Sequence, residues 1–397
     1  MTGAPARRRG SKVALVCAGG GVTGAVYEVG CLRALEELLD RSILDLDLYV
    51  GISGGAVVTS LLAGGFSPVE LYDQTTTESR RPFGQPAAPL FRLHGREFLR
   101  RWLRAPSVLR RALTAALTEG RNANDLLLTL LELLPAGLLD NSGLQEYVAR
   151  LLELRGHEDR FDALARELYL VAVDIDTGEA VAFGEPGWRD VPVSRAVQAS
   201  TALPGLYQPV RIGQRDYVDG GVKKTAHINL AIGHGADLVI CINPIVPILN
   251  DAGGPLEGHL SNRGISYVLD QALRIMLHGR MQYGLERYAR EHPEVDVVLI
   301  EPVREDMRMF SYNIMRYAAR RVVARYGYRS ALASFRRHEE DYRRILARHG
   351  IRLADPAALP EDPPAGRRRS VVASGLALAL SRLEARLETR RAPSAEG

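Results

Sequence analysis

The chain has little of what several protein classes require. It holds three cysteines in 397 residues (Cys17, Cys31 and Cys241) and no CxxC pair. An odd, sparse set excludes a disulfide scaffold and favours a reducing compartment. Stretches of about 20 consecutive apolar residues are missing, so no transmembrane helix is expected. The longest apolar candidate, Val371 to Leu380, has ten residues and includes Ser374 and Gly375. Behind Arg7–Arg9 the apolar run Val13–Ala18 is too short for a secretory signal and runs straight into glycines. Neither an HxxxH pair nor an acidic cluster at ligand spacing is present, so metal chemistry is not expected. The predicted cofactor and metal sets are therefore both none.

What is present is an ordinary globular composition, with 46% hydrophobic and 25% charged residues. The net charge of +4 is unevenly spread. Residues 1–12 carry +4, and residues 366–397, with seven Arg and three Glu, carry another +4, which leaves the body at −4. Two basic ends on an acidic body point to solvated tails or to an anionic surface such as a membrane, and not to nucleic acid.

Lys12–Cys17 is a short β-branched run ended by glycines, which predicts a buried strand. Apolar residues at Val26, Val29, Leu32, Leu35 and Leu39 then follow helical spacing. Leu46–Ile52 predicts a second strand, and residues 56–63 a small-residue helix. Strand, glycine turn, helix, repeated, is the opening of an α/β sandwich with a parallel sheet. Further strands are expected at Leu168–Asp174, Glu179–Phe183, Asp216–Val218, Leu238–Asn243 and Val295–Ile300. Helices are expected at Val193–Ala199, Gly264–Arg290 and Tyr312–His349. The Leu- and Arg-rich stretch 68–165 reads as a helical insertion. The predicted organisation is a basic tail at 1–11, a catalytic domain at 12–335 that includes the insertion, a helix end and Pro-rich linker at 336–366, and a basic helical tail at 367–397.

Three glycine turns carry the chemistry. The first, GGGVTG at 19–24, joins a strand to a helix. Its glycines allow close backbone approach, and the free amides of the helix start face whatever binds there. A nucleotide P-loop is excluded, because Gly24 is followed by Ala25 and Val26 and not by Lys and Ser/Thr. A dinucleotide site would want an acid at the end of the second strand, whereas Asp45 and Asp47 lie at its start. The second turn, GISGG at 51–55, is a GxSxG sequence between strand and helix, the setting of a nucleophile elbow. Gly51 and Gly55 leave room around Ser53, and the helix start favours negative charge developing nearby. The third turn is Asp219-Gly220-Gly221. A serine hydroxyl needs a base within hydrogen-bond reach, and a desolvated aspartate can serve without histidine.

Taken together, AGGGVTGAVYEVGCLRALEE at 18–37, GISGGA at 51–56, ASTALPGLYQPV at 199–210 and DGGV at 219–222 resemble the four blocks of the patatin-like phospholipase family. The segment LIEPVREDMRMFSYNIMRYAARR at 299–321 resembles one in bacterial members, and the resemblance covers roughly residues 10–335. It implies an α/β three-layer sandwich with a mostly parallel central sheet, here with a helical insertion and a C-terminal helical extension. It also implies a calcium-independent serine lipid acyl hydrolase of phospholipase A or lysophospholipase type. By position it makes Ser53 the nucleophile and Asp219 the proton acceptor. Gly19, Gly20, Gly21 and Gly24 then form the oxyanion hole, and Gly51, Gly55, Gly220 and Gly221 shape the turns. Thr23 departs from the Arg or Lys common in the family, which touches rate and head-group preference more than the chemistry.

Two rival readings stand beside this one. A Ser-Asp-His esterase would recruit a late histidine, with His278, His292, His338 and His349 available. A non-catalytic lipid-binding scaffold would keep the fold without turnover. The expected partner is a lipid or phospholipid. Peripheral membrane contact is expected through residues 91–111, where Phe98, Trp102 and Leu103 alternate with arginines, and through 367–391. The expected location is the cytoplasm or the inner membrane face.

Overall fold

The computed structural model describes residues 10–76, 92–93, 103, 105–108, 110, 114, 135–250, 258–302 and 319–363. In chain order the elements are strand β1 (Val13–Cys17), helix α1 (Gly21–Leu38), β2 (Leu48–Ile52), α2 (Gly54–Ala63), α3 (Pro68–Thr76), β3 (Arg92–Leu93), β4 (Gly137–Asp140) and α4 (Ser142–Leu154). There follow β5 (Glu167–Asp174), β6 (Ala180–Phe183), α5 (Val193–Ser200), β7 (Gly205–Tyr207), β8 (Val210–Ile212), β9 (Arg215–Asp219), α6 (Ile228–Gly233) and β10 (Leu238–Ile242). The last are α7 (Ile265–Glu291), β11 (Asp296–Ile300), α8 (Arg320–Arg337) and α9 (Glu339–Arg348).

The main sheet runs β11-β10-β1-β2-β5-β9-β8, with β6 also paired to β5. The first five strands of that path are parallel, and β6, β8 and β9 are antiparallel additions. Strands buried on both faces read as continuous apolar runs, and β1 and β10 do so. Their residues divide with period two. Val13, Leu15, Cys17, Leu238 and Ile240 face α1, α4 and α8. Ala14, Val16, Val239 and Cys241 face α6 and the Met281 and Tyr288 side of α7. This is the expected three-layer sandwich.

Two expectations change. The stretch 68–165 is not helical throughout: β3 and β4 lie within it and form a small sheet with β7. The helical stretch ending at His349 is broken at His338, between α8 and α9.

The residue that follows α9 is clasped to the segment before β1 at the edge where the parallel strands start. Ser11 Oγ lies 2.5 Å from His349 Nδ1, and His349 Nε2 lies 2.8 Å from Asp296 Oδ2. Arg348 also pairs with Asp296 through two nitrogens. This serine–histidine–aspartate chain ties α9 to β1 and β11. It sits at the opposite end of the strands from Ser53.

Helices α1 and α8 meet through two glycines. A Cβ on Gly30 would lie 2.0 Å from the Ala324 carbonyl oxygen, and one on Gly327 would lie 2.1 Å from that of Tyr27. Both obstacles are backbone, so the helices must separate to admit a methyl group. Gly30→Ala should therefore destabilise by about 1–3 kcal/mol despite alanine's better helix propensity. Gly279→Ala in α7, where nothing lies within 4 Å, should stabilise by about 0.5–1 kcal/mol. Denaturant unfolding of the two variants checks the opposite signs.

Candidate active site

The sheet itself brings Ser53 and Asp219 together. Ile52, the last residue of β2, pairs with Val171 of β5, while Asp219, the last residue of β9, pairs with Ala172. Those two β5 residues also pair with Ala182 and Val181 of β6. A strand residue has only two edges, so β2 and β9 occupy the same edge of β5. They run toward each other and end one residue apart. A Cβ on Gly220 would meet the Val171 carbonyl oxygen at 2.4 Å and Ile52 Cγ2 at 3.3 Å. Only a glycine allows the two strand ends to abut so closely.

Ser53 has φ 54° and ψ −124°, the one non-glycine residue with positive φ among the described residues. Such a conformation costs about 1–3 kcal/mol and persists only when its surroundings impose it. The surroundings here are specific. Ser53 N–H donates to Ser200 Oγ at 3.0 Å, and Ser200 Oγ donates to the Val171 carbonyl at 2.6 Å. Ser200, fully buried at the end of α5, thus ties the elbow to β5. Two residues on, the Ala202 carbonyl accepts from Asp219 N–H at 3.0 Å. The block 199–210 braces both residues.

Ser53 also occupies the N-cap position of α2, yet its hydroxyl does not cap the helix. It lies beside Asp219 instead, close enough to lower that carboxyl's pKa. Asp219 is buried, and its Oδ1 accepts from Gly221 N–H at 2.8 Å. Burial pushes its pKa up to about 6, and the Ser53 hydroxyl and the Gly221 amide hold back a larger rise. The result is a carboxylate that is ionised at neutral pH and still basic enough to accept a proton.

The first glycine turn packs against this pair. A Cβ on Gly19 would lie 3.2 Å from Ser53 Cβ and 3.5 Å from Ile245 Cδ1. One on Gly54 would lie 2.4 Å from the Gly21 carbonyl oxygen, and one on Gly55 would lie 2.3 Å from that of Cys17. The two turns interlock backbone to backbone at the C-terminal ends of β1 and β2. Helix α1 starts at Gly21 with no side-chain cap and no acid in its first turn. The amides at its start can therefore receive an anion. Gly24 is a correction to the expected donor set. Its N–H already donates to the Gly20 carbonyl at 2.8 Å, so Gly24 supplies clearance and no donor. A Cβ there would approach Pro244 Cγ at 3.2 Å.

The histidines considered for a triad have other contacts. His278 lies 3.5 Å from Glu301, His292 lies 3.3 Å from Glu294, His338 packs on Tyr342, and His349 belongs to the clasp. His227 is buried close to the Gly220 backbone, and burial drives its pKa down to about 4. It is a neutral brace behind the Asp219 turn. His234 stacks on Tyr169 at 4.0 Å. Ser200 is the contributor to the site's geometry that motif reading did not single out. Its role depends on contacts between distant segments, which spacing alone does not encode.

A family model described as patatin-like phospholipase matches residues 15–232. Two uncharacterized NTE family proteins, one from Mycobacterium bovis and one from Mycobacterium tuberculosis, are each 25% identical over 244 residues. The match covers 61% of this chain and 32% of each relative, so the chain spans about a third of the length of the curated relatives it matches. Among solved structures, VipD from Legionella pneumophila is 16% identical with a TM-score of 0.38, over 83% of this chain and 67% of that one. The family match covers more than half of the chain and takes in both strand–glycine–helix turns, Ser53 and Asp219. The chain belongs to the patatin-like phospholipase family.

Proposed function

We propose that this protein is a serine lipid acyl hydrolase of the phospholipase A or lysophospholipase type, working without calcium through a Ser53–Asp219 dyad. The observation that carries the reading is a strained, buried serine whose hydroxyl lies beside a buried aspartate that burial pushes up to a pKa of about 6. A structural serine at a helix start would cap its own helix. This one is turned toward a base.

In the proposed reaction, Asp219 takes the Ser53 proton as Oγ attacks the ester carbonyl carbon. The carbonyl oxygen becomes an oxyanion and is met by the amides of Gly19, Gly20 and Gly21 and by the positive end of α1. Collapse of the tetrahedral adduct expels the alcohol or lysolipid, which carries away the proton held by Asp219. Water then gives a proton to Asp219 and its hydroxyl to the acyl carbon, and the fatty acid leaves as Ser53 recovers its proton. One carboxylate serves both half-reactions, and a pKa near neutrality suits it to take and return a proton. The same reading has the protein working on lipid from the cytoplasmic side, as a peripheral visitor to the inner membrane face.

Ser53→Ala and Asp219→Asn should each lower ester hydrolysis at least about a thousandfold while leaving the unfolding transition cooperative. Full turnover by purified Ser53→Ala would remove the serine from the chemistry. For the wild type, kcat/KM should be flat at neutral pH and fall about tenfold per pH unit below about 6, because protonated Asp219 cannot accept the serine proton. A profile unchanged down to pH 4 would contradict that assignment. Ser200→Ala leaves the Ser53 amide and the Val171 carbonyl without their shared partner. It should cost about 1–3 kcal/mol of stability. It should also lower kcat roughly tenfold to hundredfold with little change in KM, since the elbow shifts while the rest of the site stays. Steady-state kinetics on a short-chain ester separates the two parameters.

A further inference from the structure

Helix α7 changes character along its length. From Gln282 onward its exposed residues are mostly charged or polar: Gln282, Tyr283, Glu286, Arg287, Ala289, Arg290 and Glu291. Over its first three turns the exposed residues are Ile265, Ser266, Val268, Leu269, Ala272, Leu273, Ile275 and Met276. None carries a charge. Ile265 is 77% exposed, Leu269 62%, Met276 59% and Ile275 54%. The same helix thus supplies its own comparison: one half meets water with charged and polar groups, and the other meets it with large aliphatic side chains. Scattered exposed apolar residues are normal, but a contiguous charge-free group of this size marks an interaction surface.

The placement of that half of α7 says what it meets. Gln271 exchanges two hydrogen bonds with the Ile248 backbone, at 2.9 and 3.0 Å. The buried Arg274 donates to the Val246 carbonyl at 3.4 Å. These contacts hold the segment after β10, whose Ile245 lies against Gly19. On the other side, the Leu277 carbonyl accepts from Thr225, and Arg280 donates to the Val222 carbonyl at 3.2 Å. That second segment begins at Asp219. The apolar half of α7 therefore clamps the two segments that leave the catalytic end of the sheet. Each of them adds an exposed apolar side chain of its own, Leu249 and Val222. Exposed cations border the group: Arg263 before the helix, Arg280 at its far end and Lys223 beside Val222. Aliphatic side chains ringed by cations complement an anionic lipid surface, where the apolar groups enter the acyl boundary and the cations meet the headgroups.

We propose that the exposed face of Ile265–Met276, together with Val222 and Leu249, is the surface by which the protein docks on an anionic phospholipid bilayer, with the Ser53 site turned to the lipid. The proposal deepens the function argued above and rests on its lipid substrate. It differs from the contact expected through residues 91–111, of which 92–93, 103, 105–108 and 110 are described, and through 367–391, which lie outside the described residues.

The test is co-sedimentation of the full chain with vesicles of equimolar phosphatidylcholine and phosphatidylglycerol. Leu269→Glu and Met276→Glu are compared with Ala289→Glu, which adds the same charge on the solvated half of the helix. All are made in the Ser53→Ala background as well, so that partitioning is read without turnover and stands apart from the catalytic assignment. Both positions are exposed, and Leu269→Gln serves as a milder variant with the same expected direction. The wild type and Ala289→Glu should partition to the vesicles. Leu269→Glu and Met276→Glu should lose roughly tenfold or more in partitioning, the scale of one buried aliphatic side chain. Their rates on a water-soluble short-chain ester should stay at the wild-type value. A wild type that stays in the supernatant, or a Leu269→Glu that partitions as well as the wild type, would overturn the proposal. So would sedimentation velocity showing that the wild type is a dimer that Leu269→Glu converts to monomer, since the face would then belong to a second copy of the chain.

Discussion

The site depends on one strand edge being shared. Strand β5 offers its edge to β2 as far as Val171 and to β9 from Ala172 onward. Two strands that arrive from opposite directions are thereby stopped end to end. The side chain at the tip of each, Ser53 just past β2 and Asp219 closing β9, has no choice but to meet the other. Everything else in the site holds that junction. Gly220 lets the strand ends touch, Ser200 pins the strained elbow to the β5 backbone, and Ala202 fixes the amide of Asp219. The first glycine turn is added by β1, the neighbour of β2 on its other edge.

The junction is costly to the fold. Ser53 carries backbone strain, and Asp219 carries a charge into a buried setting. Below about pH 6 the folded Asp219 holds its proton, while an unfolded aspartate near 3.8 does not. Stability linked to this group therefore rises as pH falls from about 6 toward 3.8, and it is lowest at neutral pH, where the carboxylate is ionised. A group that opposes folding under the conditions in which it is useful is a sign of chemistry more than of architecture. The rigid glycine contacts between α1 and α8, and the clasp of Ser11, His349 and Asp296 at the far edge, lie away from that tension and stabilise the scaffold around it.

Much of this was legible from the chain alone, and the reason is physical. Buried parallel strands must be apolar on both faces, so β1, β2, β5, β10 and β11 stand out as short β-branched runs. Tight turns that bring backbone against backbone must be glycine, so the three turns mark themselves at residues 19–24, 51–55 and 219–221. What the chain did not disclose depends on contacts between remote segments. That β2 and β9 share an edge across 166 positions is a property of sheet register, invisible to local periodicity. Ser200 is one serine among many until its hydroxyl is seen between Ser53 and Val171. Gly24 matches the glycine pattern of an anion loop, but the helix has already used its amide. Helix α7 was evident as a helix, whereas its divided surface requires knowing which face packs on the sheet.

The central claim is that Asp219 activates Ser53, and labelling by a fluorophosphonate, followed by peptide mapping, tests it most directly. The reagent forms its phosphonyl bond only with an activated serine, and no lipid or docking step intervenes. The account predicts a single adduct on Ser53, forming quickly in the wild type at pH 8 and at least about a hundredfold more slowly in Asp219→Asn. An adduct on a different serine, or equal labelling of Ser53 in Asp219→Asn, would contradict it.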